Sequence, residues 1–256
     1  MTVLGSPAGK FAHMVFEGQR LKGLQFFVSK ICGKKLVEDT GYCTGLIGAM
    51  LKDEKDTPVR YTAMCALKET AEAWGLNGDG VAMVAPFRDE LCKLLMDTES
   101  FNDCELRMAA AQALKSIGDN VGIFATQCFS EKYDEKALGF RFFVAKICGK
   151  SMQETKECMD IIRPLLTTED RFVRFGATWA VKEVAEACGA DGVGHALILA
   201  CQADLRDLLA EESAICCWDR GVQALAAEAL RAAGDRIGSF MIMFMSDDPK
   251  TKVESF

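Results

Sequence analysis

Apolar residues along this chain recur at steps of three and four. In residues 59–75 (VRYTAMCALKETAEAWG), Val59, Ala63, Ala66, Leu67, Thr70, Ala71 and Trp74 follow that spacing. They therefore share one face of a predicted α-helix. Several are Ala, and so small a side chain lets a second helix approach closely, as stacked hairpins require. The pattern returns at 106–122 (LRMAAAQALKSIGDNVG), 173–189 (VRFGATWAVKEVAEACG) and 222–238 (VQALAAEALRAAGDRIG), and more degenerate copies begin near Leu21 and Ala137. Less regular segments between the copies predict partner helices near 9–19, 38–52, 80–96, 121–131, 153–167 and 193–210, with a further helix at 237–246.

The copies are ordered as a duplication. Residues 23–34 read GLQFFVSKICGK and residues 139–150 read GFRFFVAKICGK, identical at nine of twelve positions. Segment 59–75 matches 173–189 at ten of seventeen positions, and ALKSIGD at 113–119 recurs as ALRAAGD at 229–235. The expected fold is all-α: a single α-solenoid domain of about six helical hairpins over 1–256. Its two tandem halves cover 9–121 and 122–236, followed by a terminal helix at 237–246 and a tail at 247–256. Three segments open alike, GKFAHMVFEG at 9–18, GIFATQCFSE at 122–131 and GSFMIMFMSD at 238–247. The last of these is apolar nearly all round, although the terminal repeat of a stack needs a polar outer face.

Local chemistry supports the hairpins. Asp56, Asp103 and Asp170 each precede an Arg by four residues (Arg60, Arg107, Arg174). An Asp suits a helix N-cap, and the Arg can reach back one turn to it. Asp219 keeps this place but is followed by Gln223, so that link is expected to be weaker. Gly75 and Gly189 are expected to end their helices, because glycine adopts the left-handed conformation cheaply.

This recurring Asp-x-x-x-Arg before an Ala-rich helix resembles the HEAT-repeat family. The Val-Arg…Ala…Ala-Leu…Gly-Asp wording is also similar to the HEAT-like repeats of phycobilin lyases. The resemblance spans roughly residues 9–246 and rests on packing and capping residues. It implies an α-solenoid, and it implies as a functional alternative a chaperone-like or lyase-like factor acting on a chromophore-bearing protein. In size the chain also resembles a TOG domain, which implies tubulin binding. Such domains present basic turns, whereas the turns of this chain are mostly acidic.

Composition narrows the functions. Of 256 residues half are hydrophobic and 26% charged, a globular balance. The net charge of −7, with no Lys/Arg-rich run, disfavours nucleic acid as a partner. The longest nearly uninterrupted apolar run, 237–245, is far short of the ~20 residues of a membrane-spanning helix. Residues 1–22 have no acid before Glu17 and fit the repeat pattern better than a targeting segment. Most of the twelve Cys, among them Cys32, Cys65, Cys148 and Cys188, lie within helical patterns as small core residues. Without a visible signal peptide, a cytoplasmic or other reducing intracellular compartment is expected.

No constellation for catalysis emerges. There is no C-x-x-C and no P-loop, and the only His residues, His13 and His195, sit in no recognisable motif. The GLNGDG turn at 75–80 lacks the acids of a calcium loop. Glu211–Glu212 and Asp247–Asp248 read as solvated charge. No catalytic, cofactor or metal residue is assigned.

The expected function is a non-catalytic scaffold or structural subunit that binds a partner protein. The charged turns at 52–56, 96–105, 130–136, 167–171 and 210–213 favour a partner with a basic surface. Candidate contact residues are the aromatics Phe101, Tyr133 and Trp218 at these turns, and Phe240 and Phe244 on the terminal helix. That helix is also a candidate for self-association.

Overall fold

A computed structural model describes residues 6–32, 37–52, 56–74, 79–96, 104–188, 193–210 and 217–245. The chain is all-α, with no strand among these residues. Its contacts divide it into two compact units, Met1–Thr126 and Gln127–Phe256.

In the first unit α1 (Pro7–Phe16), α3 (Val37–Leu51), α5 (Asp79–Val84) and α6 (Arg88–Met96) form one layer. The second layer is α2 (Arg20–Lys30), α4 (Thr57–Trp74) and α7 (Cys104–Ser116), with α2 packed on α4 and α4 on α7. Helix α8 (Asn120–Cys128) follows. The second unit repeats the scheme. Helices α10 (Met152–Ile162) and α12 (Val193–Ala210) form one layer, and α9 (Tyr133–Lys146), α11 (Arg171–Cys188) and α13 (Cys217–Ala232) form the other. Helix α14 (Arg236–Met245) packs on α13. Each unit is thus a short stack of hairpins of the α-solenoid kind.

The expected Ala-rich face is the core. Val59, Ala63, Ala66, Leu67, Thr70 and Ala71 are all buried, while Trp74 is only half-buried. In α11 the equivalents Val173, Ala177, Ala180, Val181, Val184 and Ala185 are buried too. Two predicted helices are interrupted. Pro86 sits in a 3-10 turn at Ala85–Phe87 and Pro164 in another at Arg163–Thr167. Proline lacks the N–H that the α-helical ladder needs, so the helix tightens or breaks there.

Asp56 and Asp170 cap their helices as the spacing predicts. Asp56 Oδ1 accepts from the Val59 N–H (3.1 Å), and Asp170 Oδ1 from those of Phe172 (3.0 Å) and Val173 (3.2 Å). The structure adds links between hairpins that four-residue spacing does not reveal. Arg174 lies 3.8 Å from Asp219, the equivalent acid of the next hairpin. Arg107 Nε donates to the Leu95 carbonyl at the end of α6 (2.9 Å).

A second set of acids joins the layers. Asp119 caps α8 through the Val121 and Gly122 N–H groups (2.8 and 3.1 Å) and pairs with Arg88 of α6 (2.6 Å). Its counterpart Asp235 caps α14 through the Ile237 N–H and holds Gln202 (2.7 Å) and Arg206 (2.8 Å) of α12. The tight turns before both caps run through Gly118 (φ 78°) and Gly234 (φ 79°), in the left-handed region that favours glycine. Gly75 and Gly189, the glycines expected to end α4 and α11, lie outside the described residues, as do Asp103, Glu211–Glu212 and the tail.

Candidate functional site

Helix α14 opens with an Asp cap and a glycine that lets it lie close on the preceding helix. A Cβ at Gly238 would stand 2.6 Å from the Ala227 carbonyl oxygen and 2.7 Å from Leu230 Cβ. Gly122 of α8 is pressed the same way onto Leu114 and Lys115 of α7. The two helices are therefore copies in sequence and in seating, which permits a position-by-position comparison of their outer faces. Val121 is 0% exposed and its counterpart Ile237 43%. Phe124 is 0% exposed and Phe240 42%, and Cys128 is 3% exposed and Phe244 50%.

Of the α14 side chains described, none is buried; Gly238 is the one buried residue of the helix. Ile237, Phe240 and Phe244 lie three and four residues apart, which puts them on one face. The Phe240 and Phe244 rings stack at 6.3 Å and 15°. Apart from Arg236 the helix carries no charge.

The first unit shows what seats on such a face. At Gly23 of α2 a Cβ would stand 3.4 Å from Met14 and 3.6 Å from the Phe11 ring of α1. One turn on, Phe27 meets Phe11 at 5.6 Å. In the second unit the same segment of α9 lies on the end of α8, with Gly139 placed 3.0 Å from Gln127 Cβ and 3.3 Å from Cys128 Sγ by the same measure. A glycine followed four residues later by Phe is therefore the pattern that lies against this helix type.

The predicted aromatics fall into separate places. Phe101 lies outside the described residues. Trp218 is in α13, but its side chain is not described. Tyr133 is nearly half exposed and lies against Phe172 of α11, ring to ring at 5.1 Å and 60°. Phe172, equally exposed, was missed in the sequence. It follows a cap Asp at the position where the other half has the exposed Pro58, and comparing the two copies there would have marked it. Phe240 and Phe244 form their own pair, distinct from Tyr133 and Phe172.

In the first unit a cleft of about 540 Å³ opens between α4 and α7, lined by Lys68, Glu72, Gln112, Lys115, Ser116 and Thr126. Among the described cysteines the resolved shifts all run upward. Burial pushes Cys43 and Cys201 up to about 12 and Cys148 to about 11, where the nucleophilic thiolate is scarce at neutral pH. Among the described residues no group of three or more His, Cys, Asp or Glu is placed to hold a metal ion. No described helix is long and apolar enough to cross a membrane.

What the fold defines is a class, the all-α proteins of stacked helical hairpins. No protein-family model and no curated protein matches the chain. Among solved structures it is similar to two engineered proteins of the Northeast Structural Genomics Consortium. One is 20% identical at a TM-score of 0.36, over 83% of this chain and 93% of that one. The other is 19% identical at a TM-score of 0.34, over 99% and 70%. Likenesses this slight carry no statement about function.

Proposed function

We propose that this chain is a non-catalytic structural subunit, a HEAT-like stack that joins a larger assembly by seating a helix of a partner protein on α14. The observation that supports it is the contrast between two copies of one helix. The face that is buried at Val121, Phe124 and Cys128 is exposed at Ile237, Phe240 and Phe244. An exposed, nearly uncharged aromatic face is costly to leave in water and marks an interface. The partner's chemistry follows from the helices that lie on α1 and α8: an amphipathic helix with a small residue, then Phe one turn later.

The test uses the full chain purified with its stoichiometric partners. Phe240→Asp together with Phe244→Asp is expected to weaken the association at least about tenfold while leaving the helical circular dichroism intact. A photo-crosslinking residue at 244 should label an amphipathic helix of the partner. Retention of the partner by the double variant overturns the reading. So does labelling of α2 or α9 of a second copy, which would assign the face to self-association.

A further inference from the structure

The six sequence copies begin at Leu21, Val59, Leu106, Ala137, Val173 and Val222, and each carries a cation at its tenth position: Lys30, Lys68, Lys115, Lys146, Lys182 and Arg231. The core does not require this. All six side chains are at least partly exposed, in a chain whose net charge is −7.

In the first unit two contacts relate the neighbourhoods of the three cations. The thiol of Cys32, two residues past Lys30, donates to the hydroxyl of Thr70, two residues past Lys68 (3.9 Å). Lys68 and Lys115 line the same cleft. Lys68 and Lys115 thus share one cleft, and Lys30 ends α2 two residues before the thiol that joins α2 to α4. Lys30 and Lys115 make no ion pair among the described residues. Lys68 lies 3.5 Å from Glu72 and 3.6 Å from Glu69, both about half exposed. Pairs of that kind are weak and readily exchanged.

The second unit is closed by comparison. Lys182 is held by Glu186 at 2.8 Å and Glu183 at 3.2 Å and is less exposed than Lys68. Its neighbour Trp179 donates to Glu183 at 2.9 Å.

Spacing selects the ligand. Packed helices lie about 8–10 Å apart, so cations on α2, α4 and α7 offer one positive charge at roughly that interval. A polyproline II segment has three residues per turn and rises about 9 Å in three residues, so every third side chain points the same way at the matching interval. We infer that Lys30, Lys68 and Lys115 form a row across α2, α4 and α7, a second interaction surface that binds an extended segment of a partner protein with an acidic residue at every third position. The segment crosses the three helices, and its carboxylates meet Lys30, Lys68 and Lys115 in turn. The middle carboxylate displaces Glu69 and Glu72 from Lys68. Glu72 also lines the cleft and opposes the ligand, so it limits affinity.

The experiment is fluorescence anisotropy of the full chain with a labelled Glu-Pro-Ser-Glu-Pro-Ser-Glu peptide at low and moderate salt. Binding should weaken with salt, and about tenfold in a Lys30→Glu/Lys115→Glu variant. Glu72→Gln should tighten it about two- to fivefold. Lys146→Glu/Arg231→Glu, with the same change of net charge in the other unit, should leave it unchanged. A peptide of equal charge with its acids at every second position should bind at least about fivefold more weakly. Absence of binding at low salt overturns the inference. Equal binding of the two peptides does the same, as does equal loss in the two double variants. Tighter binding of a single-stranded oligonucleotide, lost in the Lys30→Glu/Lys115→Glu variant, also overturns it, because it would make the row a phosphate surface.

Discussion

Helices α8 and α14 begin with the same Asp cap, the same tight glycine turn and the same close-approach glycine, yet one face is buried and the other bare. Intrinsic helix-forming chemistry is therefore not what distinguishes them. In α8 the pattern Val121, Phe124, Cys128 is consumed by the fold, and in α14 its counterpart Ile237, Phe240, Phe244 is left available. Duplication copies the helix and the way it is seated on its predecessor, while the outer face is covered in one copy and bare in the other.

The largest effect that can break this comparison comes from the matched phenylalanines. Phe124→Ala removes a fully buried ring and is expected to cost about 3–5 kcal/mol. Phe240→Ala removes a ring already 42% exposed and should cost about 1 kcal/mol or less in the isolated chain. Urea denaturation of the two variants measures the difference. Equal losses would show that the face of α14 is covered by the chain itself in solution, and the proposed seat would be lost.

The glycines should show the opposite, a matched response. The atoms nearest a methyl group at Gly122 or Gly238 all belong to the preceding helix. Gly122→Ala and Gly238→Ala should each cost about 1–3 kcal/mol. A Gly238→Ala loss near zero would mean that α14 rides loosely on α13, and its exposed face would then reflect poor packing rather than a seat.

The fold was legible because stacked hairpins impose a period, and Ala63, Ala66 and Ala71 declare the close approach in their size. The exposure of α14 was only half legible. Its apolar character is visible in GSFMIMFM, but whether Phe240 is covered depends on what lies beside it, which no local pattern encodes. The helix breaks at Pro86 and Pro164 were hidden because the apolar period runs on through both prolines. Phe172 and the Arg174–Asp219 link were hidden for another reason. Both are contacts between hairpins, and four-residue spacing reports only contacts within one helix.

Smaller effects test the second comparison, between Asp119 and Asp235. Each caps its helix and ties it to the adjacent layer, and Ala at either site should cost about 1–2 kcal/mol. Asp235 adds a pH dependence. Desolvation pushes its carboxyl up, but hydrogen bonds from the Ile237 N–H, Gln202 and Arg206 outweigh that and hold it below its ordinary 3.8. A carboxyl depressed in the folded state stabilises the fold fully above its unfolded value and loses that contribution as pH falls through the folded one. The stability of the second unit should therefore decline below pH 3.8, and Asp235→Asn should flatten that acid limb. An unchanged limb would show that Gln202 and Arg206 do not engage the carboxylate in solution.

The smallest effect is expected from Cys32 and Cys148, which occupy the same position in the duplicated FFVxKICGK segment. Burial raises both thiols. Cys148 is pushed to about 11, with Cys188 and Glu183 adding to burial, whereas the Thr70 hydroxyl offsets the rise at Cys32. A thiol whose folded value lies above its unfolded 9.0 stabilises the protein fully below pH 9, and that contribution is lost as pH climbs toward the folded value. Denaturation midpoints measured from pH 8 to 11 should fall, and Cys148→Ala should flatten the fall more than Cys32→Ala does. Thr70→Val should raise Cys32 further, because it removes the hydroxyl that offsets the effect of burial. If Cys32 does not move in that variant, the difference between the copies comes from burial and the neighbouring charges, and the Cys32–Thr70 contact that joins α2 to α4 contributes nothing to it.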